Sequence, residues 1–221
     1  MRCIYCQNKK TYLLNNGQVK CAVCKRKYSP KKLVRQADIT EAFLDNYSAT
    51  QCAKELHLHY NTVQKHYMHL RKAITLYADA RYQENNHLIN EFDEYLYLPK
   101  SITDFDDNIH KMEHFITFAY HDRVYNIMMP TIERYKLDMD SKSEKKKLSK
   151  FLRFNKVSKL QNVQNPITRF WDFFEDFILL YKGISKEQFI YYLKEAEFRF
   201  NYSEEEQKEI LSSMNEYNDE F

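Results

Sequence analysis

Cys3-x2-Cys6 and Cys21-x2-Cys24 place four thiols in two chelating pairs at the head of a 221-residue chain that holds only one further cysteine. Two thiolates at this spacing reach one metal ion, and two such pairs complete the tetrahedral shell that Zn2+ takes in structural sites. The spacing predicts a structural zinc site on Cys3, Cys6, Cys21 and Cys24. Two disulfides or a redox pair are the other readings of the same thiols. Disulfides imply an oxidising compartment, yet no apolar signal segment follows Met1. A redox site needs one such pair in a βαβ context, which the flanking residues do not supply.

Between the pairs, Thr11-Tyr12-Leu13-Leu14 and Gln18-Val19-Lys20 are short strand-like runs joined through Asn16-Gly17, a dipeptide that tolerates positive φ in a tight turn. A hairpin that delivers the second ligand pair is the arrangement of a zinc ribbon. With only two glycines in the chain, helices should dominate the remainder, and 18 tyrosines and 15 phenylalanines leave room for strands. No run of about 18 apolar residues exists to span a membrane. The expected location is the cytoplasm.

The net charge of +3 conceals a division. Residues 1–72 hold fourteen Lys and Arg against four Asp and Glu, a net of +10, whereas residues 73–221 hold twenty against twenty-seven, a net of −7. Confinement of positive charge to the cysteine-bearing end points to a polyanion, because Lys and Arg near phosphates release condensed counterions. Lys31, Lys32 and Arg35, in the cluster that follows the last cysteine, are candidate phosphate contacts. Double-stranded DNA is the expected partner.

Ile39 to Asn46 is expected to form a first helix with Ile39, Ala42 and Phe43 on one face. Ser48-x-x-Gln51 has the capping-box pattern and opens a second helix, from Ala49 to Leu56. A turn through His57 to Tyr60 leads to Asn61 as N-cap of a third, Thr62 to Arg71, with Val63, Tyr67 and Leu70 inward. His57 stands where many such turns carry glycine, so one residue there is expected in a strained or left-handed conformation. Helix, short turn and helix of these lengths make a helix-turn-helix, whose last helix enters the major groove N-terminus first. Thr62, Gln64, Lys65 and His66 then become candidate base readers: Gln pairs with adenine in bidentate fashion, Lys suits guanine, and Thr meets a thymine methyl or a phosphate. Arg71 reads as a phosphate clamp. A three-helix bundle with a polar face is the plainer alternative.

Taken with Glu91-Phe-Asp93-Glu94, Phe170-Trp171, Lys182-Gly-Ile-Ser-Lys-Glu187 and the stretch Tyr192-Leu-Lys-Glu-Ala-Glu-Phe-Arg-Phe-Asn201, these features resemble the DDE-type insertion-sequence transposases of bacteria with zinc-ribbon heads. The resemblance implies an RNase H-like sheet that presents three acids to two divalent metals, which activate the attacking oxygen and stabilise the leaving one. Asp93 fits the first acid, at the end of the apolar run His87 to Phe92; an ordinary strand-edge acid is its other reading. The second acid has no clear counterpart, Asp138 and Asp140 being its candidates. The third should lie three residues before the tryptophan, where this chain has Thr168. The Lys-rich run from Lys142 to Lys159 reads as a solvated helical face, with a second DNA-contacting surface as its alternative.

The sequence thus leads us to expect an α+β protein with a zinc ribbon over residues 1–35, a helix-turn-helix DNA-binding domain over 36–76 and a shortened RNase H-like domain with a helical C-terminus over 84–221. The resemblance implies an insertion-sequence protein that recognises element-end DNA, with structural Zn2+ and, for an active core, Mg2+ or Mn2+. A non-catalytic, sequence-specific DNA-binding regulator derived from a transposase is the alternative, which Thr168 favours. A homodimer is compatible with either, and an RNA-binding zinc protein is a third reading that needs no helix-turn-helix.

Overall fold

The structure is a computed structural model that describes residues 2–97, 113–129 and 165–217. Asp138, Asp140, the Lys142 to Lys159 run and the last four residues of the acidic tail lie outside them. The described residues form two three-stranded antiparallel sheets and six α-helices, a mixed α+β architecture. In chain order these are β1 (Thr11–Leu13), β2 (Val19–Cys21), β3 (Lys27–Tyr28), α1 (Pro30–Leu44), α2 (Ala49–Glu55), α3 (Tyr60–Asn85), β4 (Glu91–Tyr97), β5 (Glu113–Tyr120), β6 (Arg123–Met129), α4 (Pro166–Ile178), α5 (Lys186–Asn201) and α6 (Glu204–Tyr217). Two compact units result, one of Met1–Ile74 with Tyr202–Phe221 and one of Thr75–Asn201. No helix among the described residues is long and apolar enough to cross a membrane.

In the first unit, β1 pairs with β2 so that Thr11 faces Cys21 and Leu13 faces Val19. The intervening turn closes through Leu14 N–H on Gln18 O at 2.8 Å, with Gly17 at φ 76°. Helix α1 begins at Pro30, nine residues before the expected Ile39. The local chemistry explains this: the Ser29 side chain caps Lys32 N–H, and proline at the first helical position presets φ.

Helices α1 and α2 end in the same way. Asn46 at φ 61° donates to Phe43 O and Tyr47 donates to Ala42 O; His57 at φ 51° donates to Lys54 O and Leu58 to Ala53 O. These paired bonds satisfy the last carbonyls of each helix and turn the chain sharply. The left-handed residue expected near His57 is His57 itself. Ser48 and Gln51 close the capping box of α2 as expected. Helix α3, in contrast, starts at Tyr60 rather than after Asn61, because His59 Nδ1 accepts from Asn61 N–H at 3.2 Å. It also runs to Asn85 instead of stopping at Arg71, since no Gly or Pro interrupts Lys72 to Asn85. Ile39, Phe43, Cys52, Val63, Tyr67, Leu70 and Ile74 form the buried interior, and Leu211 of α6 is buried in the same unit.

In the second unit, β4, β5 and β6 lie side by side in that order, Asp93 opposite Thr117 and Thr117 opposite Asn126. The period of two puts Glu91, Asp93, Tyr95 and Tyr97 on one face. Helices α4 and α5 cover that face: Tyr95 stacks on Trp171 with centroids 3.8 Å apart, and Phe115 on Phe189 at 5.8 Å. Asp93 is the third residue of its strand and not the terminal one, because His87 and Leu88 belong to a 3-10 turn. On α4, Phe170, Phe174 and Phe177 are buried, while Phe173 is 37% exposed.

Candidate metal centre and nucleic-acid interface

The four N-terminal cysteines converge. Their Sγ atoms all lie within 4.8 Å of one another, Cys3 to Cys24 at 3.6 Å and Cys6 to Cys21 at 3.5 Å. A tetrahedral ion with metal–sulfur bonds of about 2.3 Å needs sulfurs about 3.8 Å apart, so the donor set fits Zn2+. A disulfide needs about 2.05 Å, and all five cysteines are free thiols. Two backbone loops build the site in matching fashion. Cys3 N–H donates to Asn8 O at 2.9 Å and Cys21 N–H to Arg26 O at 3.0 Å, five residues on in each case. Gln7 and Lys25, each directly after the second cysteine of its pair, have φ of 56° and 61°. These two left-handed residues curl the chain around the sulfurs, and neither is a glycine that would have betrayed the turn in the sequence.

Polar contacts aim at the sulfurs as well. Val23 N–H donates to Cys21 Sγ at 3.3 Å. Burial pushes the Cys21 thiol up, but bonds from the Cys24 and Val23 backbone and from neighbouring thiols prevail and bring it down to about 6. At Cys24 the Arg26 backbone bond is outweighed by burial and the bonds to Cys21, Cys3 and Cys6, which push that thiol up to about 12, so the four thiols share their charge unevenly. Cys3, Val19, Cys21 and Tyr28 form a small core against which Leu33 of α1 packs, joining the cysteine cluster to the first helix.

Lys31, Lys32 and Arg35 are exposed on the first turns of α1, and Thr62, Gln64 and Lys65 on the first turns of α3. His66 departs from that outward set: its Nε2 lies 3.1 Å from Thr40 Oγ1 of α1. Burial first, then His69 and Lys32, lowers its pKa to about 4, so the ring is neutral at physiological pH. Arg71 departs further. It is 3% exposed, its guanidinium 5.6 Å from the centre of the Phe43 ring and 5.9 Å from that of Tyr67. The residue read as a surface clamp is packed on aromatic rings beneath the surface.

In the second unit, Asp93 Oδ1 accepts from Glu94 N–H, and its cross-strand neighbour Thr117 accepts from Trp171 Nε1 at 2.9 Å. Thr168 Oγ1 accepts from Asn165 N–H at 3.1 Å while Thr168 N–H donates to Asn165 Oδ1 at 2.8 Å, a reciprocal cap at the start of α4. Asn165 also bonds Glu91 on β4. Among the described residues, the four cysteines are the one cluster of three or more His, Cys, Asp or Glu side chains close enough to share an ion, and Asp93 is not in it.

The stretch Tyr192 to Asn201 is bound to β6. Asn126 N–H and Nδ2 both donate to Glu197 Oε2, Lys194 Nζ meets the same carboxylate, and Asn201 pairs with both backbone groups of Val124. Arg199 pairs with Glu195 at 2.9 Å. These polar residues are framework, a role that their spacing in the sequence did not disclose. No family model matches the chain, and neither a curated protein nor a solved structure matches it.

Proposed function

We propose that the protein is a sequence-specific binder of double-stranded DNA, built like an insertion-sequence transposase but binding without cutting. In this reading Cys3, Cys6, Cys21 and Cys24 hold Zn2+, α2 and α3 form a helix-turn-helix, and the Thr75–Asn201 unit is a shortened RNase H-like domain. The observation that carries it is the start of α3. Four residues after α2, this helix buries Val63, Tyr67 and Leu70 and leaves Thr62, Gln64 and Lys65 exposed in its first two turns. A helix whose N-terminal turns present an amide, an ammonium and a hydroxyl is chemically matched to base edges in the major groove. Lys31, Lys32 and Arg35 add phosphate contacts that position the reader without reading sequence.

Binding without cutting is supported by Thr168. The side chain at the third acid position is a hydroxyl engaged in the α4 cap, and it offers no carboxylate to Mg2+, which takes hard oxygen ligands. The transposase reading keeps one supporting observation, the place of Asp93 on a strand whose face is covered by the Trp171 helix.

The test is selection of bound duplexes from a random-sequence library by the full-length zinc-loaded protein. The enriched duplex is then incubated with protein and Mg2+ or Mn2+, and every new strand end is mapped. Enrichment of a defined site with no new ends is the expected result. New ends that vanish in Asp93→Asn would establish a strand-cutting enzyme instead.

A further inference from the structure

Strand register in the N-terminal sheet makes a juxtaposition that no sequence spacing announces. Tyr12 lies opposite Lys20, and Lys20 lies opposite Lys27, so the three side chains form one row across β1, β2 and β3. The neighbouring positions Thr11, Cys21, Val19 and Tyr28 take the other face, where Val19, Cys21 and Tyr28 are buried with the metal centre. The row is therefore the outer face of the sheet, with Tyr12 59% exposed, Lys27 exposed and Lys20 half-buried between them. Like charges directly opposite on paired strands repel and destabilise the pairing. No described carboxylate forms an ion pair with either lysine. The fold thus tolerates a repulsion that a bound anion would relieve.

We propose that this outer face is a second DNA-binding surface, on which Lys20 and Lys27 straddle the phosphate backbone of duplex DNA beside the site read by α3. The inference rests on the DNA-binding reading above and extends it to a separate element. Charge complementarity selects the occupant. Strand β3 leads through Ser29 into the turn of α1 that bears Lys31, Lys32 and Arg35, so the row adjoins in the chain the exposed cations proposed above to meet phosphates. Two lysines on one row suit sequence-independent contact, which lengthens the footprint without adding base preference.

The experiment compares wild type, Lys20→Gln/Lys27→Gln and Lys20→Arg/Lys27→Arg on a duplex enriched by the wild-type protein, with zinc content checked for each. The Gln pair should weaken binding on all sequences alike, shorten the protected footprint, and lower the slope of log affinity against log salt by about two. The Arg pair should restore the slope. Melting of the unbound Gln pair should be unchanged or raised, since the cross-strand repulsion is gone. Wild type that binds DNA while the zinc-loaded Gln pair keeps its slope and footprint would overturn this surface and leave the α3 reading intact. Wild type that enriches no duplex at all would overturn both.

Discussion

Glu197 of α5 accepts from Lys194 Nζ at 3.0 Å, one turn away, and the same Oε2 takes the backbone N–H and Nδ2–H of Asn126 on β6. Both charged side chains are almost wholly enclosed, Lys194 at 2% exposure and Glu197 at 1%. Burial pushes the Glu197 carboxyl above its ordinary range, while Lys194 and the Asn126 donors pull it back. Lys194 Nζ also rests 3.4 Å from the centre of the Tyr125 ring. One carboxylate thereby fastens the last strand of the sheet to the helix over it.

A buried pair of this kind is costly to break from one side, because the partner stays charged and unpaired. Lys194→Met should destabilise the second unit by about 3–5 kcal/mol. Lys194→Met with Glu197→Gln should recover most of the loss, since the amide oxygen still accepts from Asn126. Denaturant unfolding followed by circular dichroism measures both. A single variant within about 1 kcal/mol of wild type would mean that the pair is not charged in the fold.

The proposed zinc site predicts a stoichiometry. Cys21→Ser removes one of four sulfurs, and with it most of an apparent binding free energy of about 10–16 kcal/mol for structural zinc sites. Zinc per chain, read by elemental analysis after dialysis, should fall from one to well below it, and amide exchange across residues 2–28 should rise. Retention of one zinc would show that the ion is held elsewhere.

If the protein binds DNA as proposed, base reading and phosphate contact separate in their response to sequence and salt. Gln64→Ala should lose about 1–3 kcal/mol on the enriched duplex and little on random DNA. Lys31→Ala should weaken both alike and lower the salt slope by about one. Equal losses from Gln64→Ala on every duplex would remove it from the base readers. Arg71→Lys, by contrast, should alter stability and leave the salt slope unchanged, because that guanidinium is packed against two rings.

His66 couples the first unit to pH. Thr40 gives its hydroxyl proton to Gln36 O at 2.9 Å, so His66 donates from Nε2 to Thr40 Oγ1, while burial, with His69 and Lys32 nearby, disfavours a second proton on the ring. With a folded pKa near 4 against about 6.5 unfolded, the unfolded chain binds more protons between those values. Stability is therefore full above the unfolded value and falls as pH drops from about 6.5 towards 4, by up to about 3 kcal/mol. Thermal melts across this range should show the fall in wild type and a flatter profile in His66→Gln. An equal fall in both would assign the titration to another group.

The features that are legible from the residues alone are those made by a few neighbours in the chain. The cysteine pairs meet at one point because their spacing and the Asn16-Gly17 turn leave them little else to do. Ser48, Ser203 and their partners three residues on cap α2 and α6 as local hydrogen bonding requires. Ser29-Pro30 is an equally local start signal, masked by the stronger apolar pattern that begins at Ile39.

The amino-acid sequence by itself thus determined the cysteine cluster, the short β1–β2 hairpin and the caps, since each is a contest between a residue and its near neighbours for the same hydrogen bonds or the same ion. Tertiary packing decided the rest. Whether Arg71 meets solvent or two aromatic rings depends on the rotational phase of α3 against α1, and whether Lys20 confronts Lys27 depends on strand register. Glu197 and Asn126 are 71 residues apart, and Trp171 and Thr117 are 54 apart. Polar residues at such separations bond because burial of the apolar faces of α4, α5 and the sheet drives those elements together, and the polar groups enclosed between them must then satisfy one another.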